Sequence, residues 1–198
     1  FNTQNLPEKD EREAVETITE LIEYYKGIFT ILSSCAARQL EEVTFRRNTI
    51  PVQELFDAAG KYFRKVTKNR TEKVELIIEP MDAKVIGDVN QLRFLFENLI
   101  DEALAVREEG VIRLQARKDN EYIRFLFTDT RREKSVTELN QLFYPNLARM
   151  TSGEKGELRG TEYLICKQII RDHDEFAGRR GCRINAEPAE GGGFTVYF

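Results

Sequence analysis

The chain is 198 residues long, which is enough for one domain with a sizeable core and an additional segment. Its 41% hydrophobic and 32% charged residues are typical of a folded protein and exclude a disordered one. The net charge of −4 argues against nucleic acid as a partner, which requires a concentrated basic surface. No apolar run approaches the roughly 18 residues that span a bilayer, so we expect no membrane contact within these residues.

The first predicted element is a long helix over residues 10–44. Apolar side chains recur along it every seven residues, with a second set between them: Val15, Ile18, Ile22, Tyr25, Phe29 and Leu32. A stripe this broad is typical of a helical bundle and is too apolar to leave in water. It predicts a homodimer through residues 10–44. The sequence starts at Phe1 rather than Met, so we also expect a fragment of a longer protein.

Helices and strands alternate after this segment, which predicts an α+β domain over residues 51–198 and a helix with its connector over 1–50. The expected helices are 53–66, 88–107 and 162–175; the expected strands are 74–78, 111–117, 122–128, 182–187 and 194–198. The irregular stretch 131–160 is long enough to predict a lid. Within it, 137–150 is expected to form a short packed helix, while 151–159 stays loose.

Polar blocks follow one another at the ends of these elements. The first is Gly87-Asp88 and the following helix, on which Asn98 and Glu102 lie four residues apart and therefore on one face. Asp129 ends a predicted strand, and Gly160 precedes the helix at 162–175. The fourth block is the terminal hairpin with its run of glycines at 191–193.

In this order, the blocks resemble the ATP-binding domain of sensor histidine kinases, in the superfamily shared with gyrase-type ATPases. The resemblance implies a two-layer α/β sandwich, in which a mixed sheet is covered by helices on one face and preceded by a long bundle or coiled-coil helix. It also implies a cytoplasmic protein, such as the cytosolic part of a membrane-anchored sensor, with a response-regulator-like partner.

The resemblance assigns roles to four residues that would contact the nucleotide. Asn98 keeps its family identity, whereas Glu102 replaces the asparagine that holds Mg²⁺ against the phosphates. Asp129 matches the aspartate that accepts a hydrogen bond from the adenine amino group, but both glycines of its Asp-x-Gly-x-Gly motif are lost. Gly160 is the one glycine left of three in the phosphate-binding block.

These losses predict a catalytically degenerate copy that needs no cofactor and acts by dimerisation and partner binding. The alternative is an active kinase or ATPase that binds ATP and Mg²⁺ through Glu102 and the lid arginines. In the degenerate copy, we expect Glu162 to be a first-turn carboxylate that interacts with its helix dipole, where phosphate would otherwise sit. Lid side chains or Tyr163 are expected to fill part of the nucleotide cavity. The single histidine, His173, is expected to be structural.

Overall fold

The computed structural model describes residues 45–144 and 161–198, together with Val15 and Ile18. Residues 45–144 and 162–198 belong to one compact unit, Thr44–Pro145 with Glu162–Phe198. Val15 and Ile18 are helical and exposed. The rest of the helix predicted over 10–44 lies outside the described residues, as do 145–160 of the lid, so both stay predictions.

The described unit contains strands and helices in an alternating order. In chain order they are β1 (Asn48–Pro51), α1 (Val52–Thr67), β2 (Val74–Ile78), β3 (Lys84–Gly87), α2 (Val89–Leu104), β4 (Gly110–Asp119), β5 (Tyr122–Asp129), α3 (Val136–Asn140), α4 (Thr161–Phe176), β6 (Asn185–Pro188) and β7 (Phe194–Tyr197).

The main sheet has five strands in the order β2-β4-β5-β7-β6. Strand β2 runs parallel to β4, and the remaining neighbours are antiparallel, so the sheet is mixed. Helices cover one face of it, which confirms the predicted two-layer α+β sandwich. Strand β5 alternates between the two faces, so Phe125, Phe127 and Asp129 share the buried one.

The core lies between this face and the helices. Phe96 of α2, Phe56 of α1 and Phe125 of β5 contact one another edge to face, with ring centroids 5.6–6.2 Å apart. Asp88 is the N-cap of helix α2: its carboxylate accepts hydrogen bonds from the backbone N–H groups of Asn90 and Gln91. Cap and core together fix the rotation of α2 about its axis, and with it the positions of Asn98 and Glu102.

Several predicted boundaries were wrong by a few residues. Helix α2 ends at Leu104 rather than at 107, and the first strand of the closing hairpin begins at Asn185 rather than at 182. The lid helix starts at Val136 and ends at Asn140, after which turns continue through 143. The small antiparallel sheet of β1 and β3 was not predicted. In this sheet, Pro51 pairs with Lys84 at the end of β1, and it also N-caps α1.

Candidate functional site

Three of the four predicted site residues meet at one end of the sandwich. Asn98 and Glu102 lie on the C-terminal half of α2, and Asp129 ends β5; all three are buried. Arg132 connects Glu102 and Asp129, because its side chain donates hydrogen bonds to the backbone oxygen of the former and to the carboxylate of the latter. Asn98 donates its amide N–H to the backbone oxygen of Phe94, 2.6 Å away. Gly160, the fourth residue, lies outside the described residues.

The carboxylate of Asp129 is held by the side chain of Arg131. Nε of Arg131 lies 2.8 Å from Oδ1 and Nη2 lies 2.9 Å from Oδ2, a two-pronged ion pair. The backbone N–H of Arg131 also donates to Oδ1, at 3.1 Å. Arg132 adds a contact from its Nε to Oδ2, at 3.3 Å. Both oxygens of this carboxylate therefore already accept hydrogen bonds from the chain itself.

The guanidinium of Arg131 is as enclosed as its partner, since its side chain is 1% exposed and that of Asp129 is 0% exposed. Its Nη1 and Nη2 also donate to the backbone oxygens of Glu108 and Ala103. Gly110 makes room for it, because a side chain at that position would begin 2.7 Å from Cγ of Arg131. A buried, bidentate guanidinium in which every nitrogen donates to an oxygen of the chain is a fixed part of the fold.

A second charged group at this end is the carboxyl pair of Glu102 and Glu162. Glu162 lies in the first turn of α4 and hydrogen-bonds to Glu102. Burial and the repulsion between the two carboxyls raise the pKa of Glu102 to about 7, while Arg132 and Lys134 act in the opposite direction. Near neutral pH, one proton is therefore partly retained at Glu102.

Tyr163 closes this region from α4. Its side chain is buried, and its ring contacts that of Phe143 edge to face, with centroids 5.7 Å apart. It also interacts electrostatically with Glu102, Arg132 and Asp129. Burial raises the pKa of its hydroxyl well above the ordinary value. Leu139 and Phe143 of the lid segment are also buried.

His173 lies at the opposite end of the helical layer. Its Nε2 accepts a hydrogen bond from the backbone N–H of Asp88, so Nδ1 carries the proton and donates to the backbone oxygen of Ile169, at 2.8 Å. Burial lowers its pKa. The imidazole is thus a neutral connector between α4 and the start of α2.

Sequence reasoning missed the part that Arg131 plays. It treated the residue as a lost glycine and as a possible phosphate contact, whereas the side chain turns back onto Asp129. The signal was available, because an arginine two residues after an aspartate at the buried end of a strand has the reach for such a pair. Arg131 and Arg132 of the lid and Tyr163 all lie at this end of the domain; that lid side chains or Tyr163 fill part of a nucleotide cavity stays a prediction.

The fold and these positions define a protein of the histidine-kinase and gyrase ATPase class. The family described as "Histidine kinase-, DNA gyrase B-, and HSP90-like ATPase" matches residues 87–198, and the chain belongs to this family. A search of curated proteins returned no match.

Solved structures give the same fold. The nucleotide-free catalytic domain of histidine kinase ThkA superposes with a TM-score of 0.60 at 19% identity, covering 77% of this chain and 93% of that one. ThkA in complex with response regulator protein TrrA gives 0.62 at 16% identity, covering all of this chain and 52% of that one. Histidine kinase AdeS from Acinetobacter baumannii gives 0.53 at 14% identity, covering 100% of this chain and 86% of that one. At these identities the likeness extends to the fold alone.

Among the described residues, no helix combines the length and apolar character that crossing a bilayer would require.

Proposed function

We propose that this protein is a histidine-kinase-like signalling module that does not use ATP and acts through contacts with other proteins. The observation that carries the proposal is the ion pair between Asp129 and Arg131, with both side chains buried and both carboxylate oxygens taken. Asp129 is the residue whose family counterpart accepts a hydrogen bond from the adenine amino group. In this chain an arginine from the adjoining loop makes that contact instead.

The residues do not fit Mg-ATP in the arrangement they adopt. Adenine would need an acceptor oxygen on Asp129, and freeing one means separating a buried ion pair, which costs about 3 kcal/mol or more. That cost alone would weaken binding by about two powers of ten. Glu102 occupies the position of the metal-holding asparagine, but burial and the neighbouring Glu162 raise its pKa to about 7, so it is partly protonated near neutral pH. A partly protonated carboxyl is a poor ligand for Mg²⁺, and an ionised pair would repel a triphosphate.

The alternative is an active kinase or ATPase in which lid arginines compensate for the lost glycines. Arg131 does not support this alternative, because each nitrogen of its guanidinium donates to an oxygen of the chain. Arg132 and Lys134 remain near Glu102 and would have to offset both carboxyls before attracting phosphate. Two cations facing two carboxyls leave little net attraction for an anion.

Calorimetric titration of the protein with Mg-ATP tests the proposal, with thermal unfolding as a second readout. We expect no saturable binding at micromolar nucleotide. A ligand at a hundredfold excess over its dissociation constant would stabilise the fold by about 2.7 kcal/mol, which is easily measured. A saturable shift at micromolar Mg-ATP that disappears in Asp129→Asn would refute the proposal.

A reversion variant sharpens this test. In the family that this chain resembles, positions 131 and 162 are glycines of the Asp-x-Gly-x-Gly and phosphate-binding motifs. Arg131→Gly with Glu162→Gly restores both glycines and removes the side-chain ion pair between Arg131 and Asp129. We expect this double variant to bind Mg-ATP more tightly than the natural chain, provided that it remains folded by circular dichroism. Adding Asp129→Asn to the double variant is the matched control and should abolish the gain.

The signalling role rests on dimerisation through residues 10–44 and on a response-regulator-like partner. In its support, ThkA has been solved in complex with the response regulator TrrA, and its chain in that complex superposes on all of this one. We place the protein in the cytosol, as the signalling end of a larger sensor.

Light scattering at tens of micromolar should give a dimer, and a chain truncated before Thr44 should give a monomer. A monomeric full chain at that concentration would contradict the proposed dimer.

A further inference from the structure

A cavity of about 950 Å³ lies at the end of the sandwich opposite Asp129. Its lining includes residues of β3, α2, the hairpin between β4 and β5, α4 with the loop that follows it, and the C-terminal residues, together with Arg47. Asn98, Glu102 and Asp129 are not among the lining residues. This volume is within the range of small-molecule binding sites. The cavity takes no part in the function proposed above.

The floor of the cavity is apolar and consists of residues that also belong to the core. Leu92, Phe125 and Ile170 line it and are nearly inaccessible, at 4–6% exposure. At its mouth, Ile86 and Tyr122 expose 50% and 40% of their surfaces. Because both the floor and the mouth of the cavity are apolar, a hydrophobic ligand would be in contact with apolar side chains along its whole length.

The far wall, formed by the loop 177–183, is fixed by hydrogen bonds rather than loosely placed. The carboxylate of Asp174 accepts from the backbone N–H groups of Gly181 and Cys182 at 2.5 and 2.9 Å. The hydroxyl of Tyr122 donates to the backbone oxygen of Arg180 at 2.7 Å, which ties the loop to β5. The cavity is therefore preformed, so a ligand would not have to order this wall on binding.

The residues that line the cavity carry a net positive charge. Its two acidic lining residues, Asp119 and Glu121, are already paired with Arg124 and Arg179. Among the described residues, Arg47 has neither a hydrogen bond nor an ion pair through its guanidinium. Its Cζ lies against Gly178, where a Cβ would come within 2.8 Å. Lys84 adds a second cation without a carboxylate partner in the described part of the chain.

We propose that this cavity binds a small amphipathic anion, with its apolar body on Leu92, Phe125 and Ile170 and its acidic group at Arg47. An unpaired guanidinium beside a preformed apolar cavity supplies the charged hydrogen bonds that a carboxylate, sulfonate or phosphate monoester accepts. Arg47 and Gly178 both line the cavity, and the missing side chain at Gly178 leaves room for the guanidinium beside it. Lys84 contributes attraction over a longer distance and raises the local concentration of anions.

Two dyes with the same ring system test the proposal on the full chain. Anilinonaphthalene sulfonate carries the anion, and N-phenylnaphthylamine is its neutral counterpart. We expect saturable binding of the sulfonate, a dissociation constant about tenfold higher in Arg47→Gln, and partial recovery in Arg47→Lys. The neutral dye should bind the natural chain and Arg47→Gln alike. Lys61→Gln, which removes an exposed cation of α1 outside the cavity, is the matched control and should leave both affinities unchanged.

The position is checked by methyl NMR, in which the sulfonate should shift the resonances of Ile123 and Ile170. An affinity that does not depend on Arg47, or shifts confined to residues outside the cavity, would overturn the proposal. A glutamate-rich peptide that binds more tightly than the sulfonate and competes with it would assign the cavity to a protein segment, and would overturn the small-molecule assignment. None of these readouts involves ATP, so failure here and failure of the proposed function are distinguishable.

Discussion

Replacing Glu102 by glutamine should make the domain more stable in mild alkali and leave it nearly unchanged in mild acid. The pKa of Glu102 is raised from 4.5 to about 7 by burial and by Glu162. A group whose pKa is raised on folding stabilises the fold fully below its unfolded-state pKa, and this contribution disappears as the pH rises through the folded-state pKa. The natural protein therefore loses stability from this group between about pH 4.5 and pH 7. Glutamine keeps the shape and can donate to Glu162, but it does not ionise.

The size of the effect follows from the shift. A pKa shift of this size corresponds to about 3 kcal/mol, and because the charge of Glu162 contributes to the shift, one substitution recovers only part of it. We expect Glu102→Gln to gain about 1–3 kcal/mol over the natural chain at about pH 8, and close to nothing at about pH 5. Urea unfolding at both pH values measures the difference.

The comparison needs a control for the loss of one negative charge. Glu75→Gln removes an exposed carboxylate from β2, so its effect should be small and similar at both pH values. The same gain for Glu102→Gln at both pH values would show that Glu102 does not titrate in this window. The proposed carboxyl pair would then be refuted.

Three further outcomes are expected. In urea titrations, Phe96→Ala should lower the free energy of unfolding by about 3–5 kcal/mol, because it removes the centre of the aromatic cluster. Phe94→Ala, two residues earlier on α2 and 44% exposed, should lower it little. Gly193→Ala should lower the melting temperature, since its Cβ would lie 2.1 Å from the backbone oxygen of Asp129 at a φ of +82°; an unchanged value would contradict the predicted clash. The single imidazole, His173, should titrate by NMR below its ordinary pKa of 6.5, and the stability it provides should be lost as the pH falls through that lower value.

The parts of the fold that sequence predicted are those in which a repeating pattern fixes the structure. Strand β2 was placed without error, and α1 and α4 within one residue at each end, because apolar side chains recur along them at the period of their element. The sheet of β1 and β3 was missed because each strand has four residues and its partner is more than thirty positions away. Pairing of this kind leaves no local signal.

The order of the blocks predicted Asn98, Glu102 and Asp129 as site residues, and the structure places them at one end of the domain. That they bind a nucleotide stays a prediction, and their contacts were not predictable. Whether Arg131 points to solvent or back to Asp129 depends on the space above Gly110, which is a property of the folded sheet. The carboxyl pair likewise depends on how closely α4 approaches α2, and neither sequence segment specifies this alone.

The two arginines and the carboxyl pair together explain how this end of the domain is stable without a ligand. A buried aspartate at the end of β5 needs a compensating charge, and Arg131 supplies it from two residues away. Glu162 occupies the helix N-terminus, where a carboxylate interacts favourably with the dipole, and Glu102 relieves the remaining repulsion by holding a proton. Each group depends on another, so a single reversion such as Arg131→Gly leaves Asp129 buried without its main partner. If the proposed function is correct, regaining nucleotide binding therefore requires several substitutions at once, because these groups do not contribute independently.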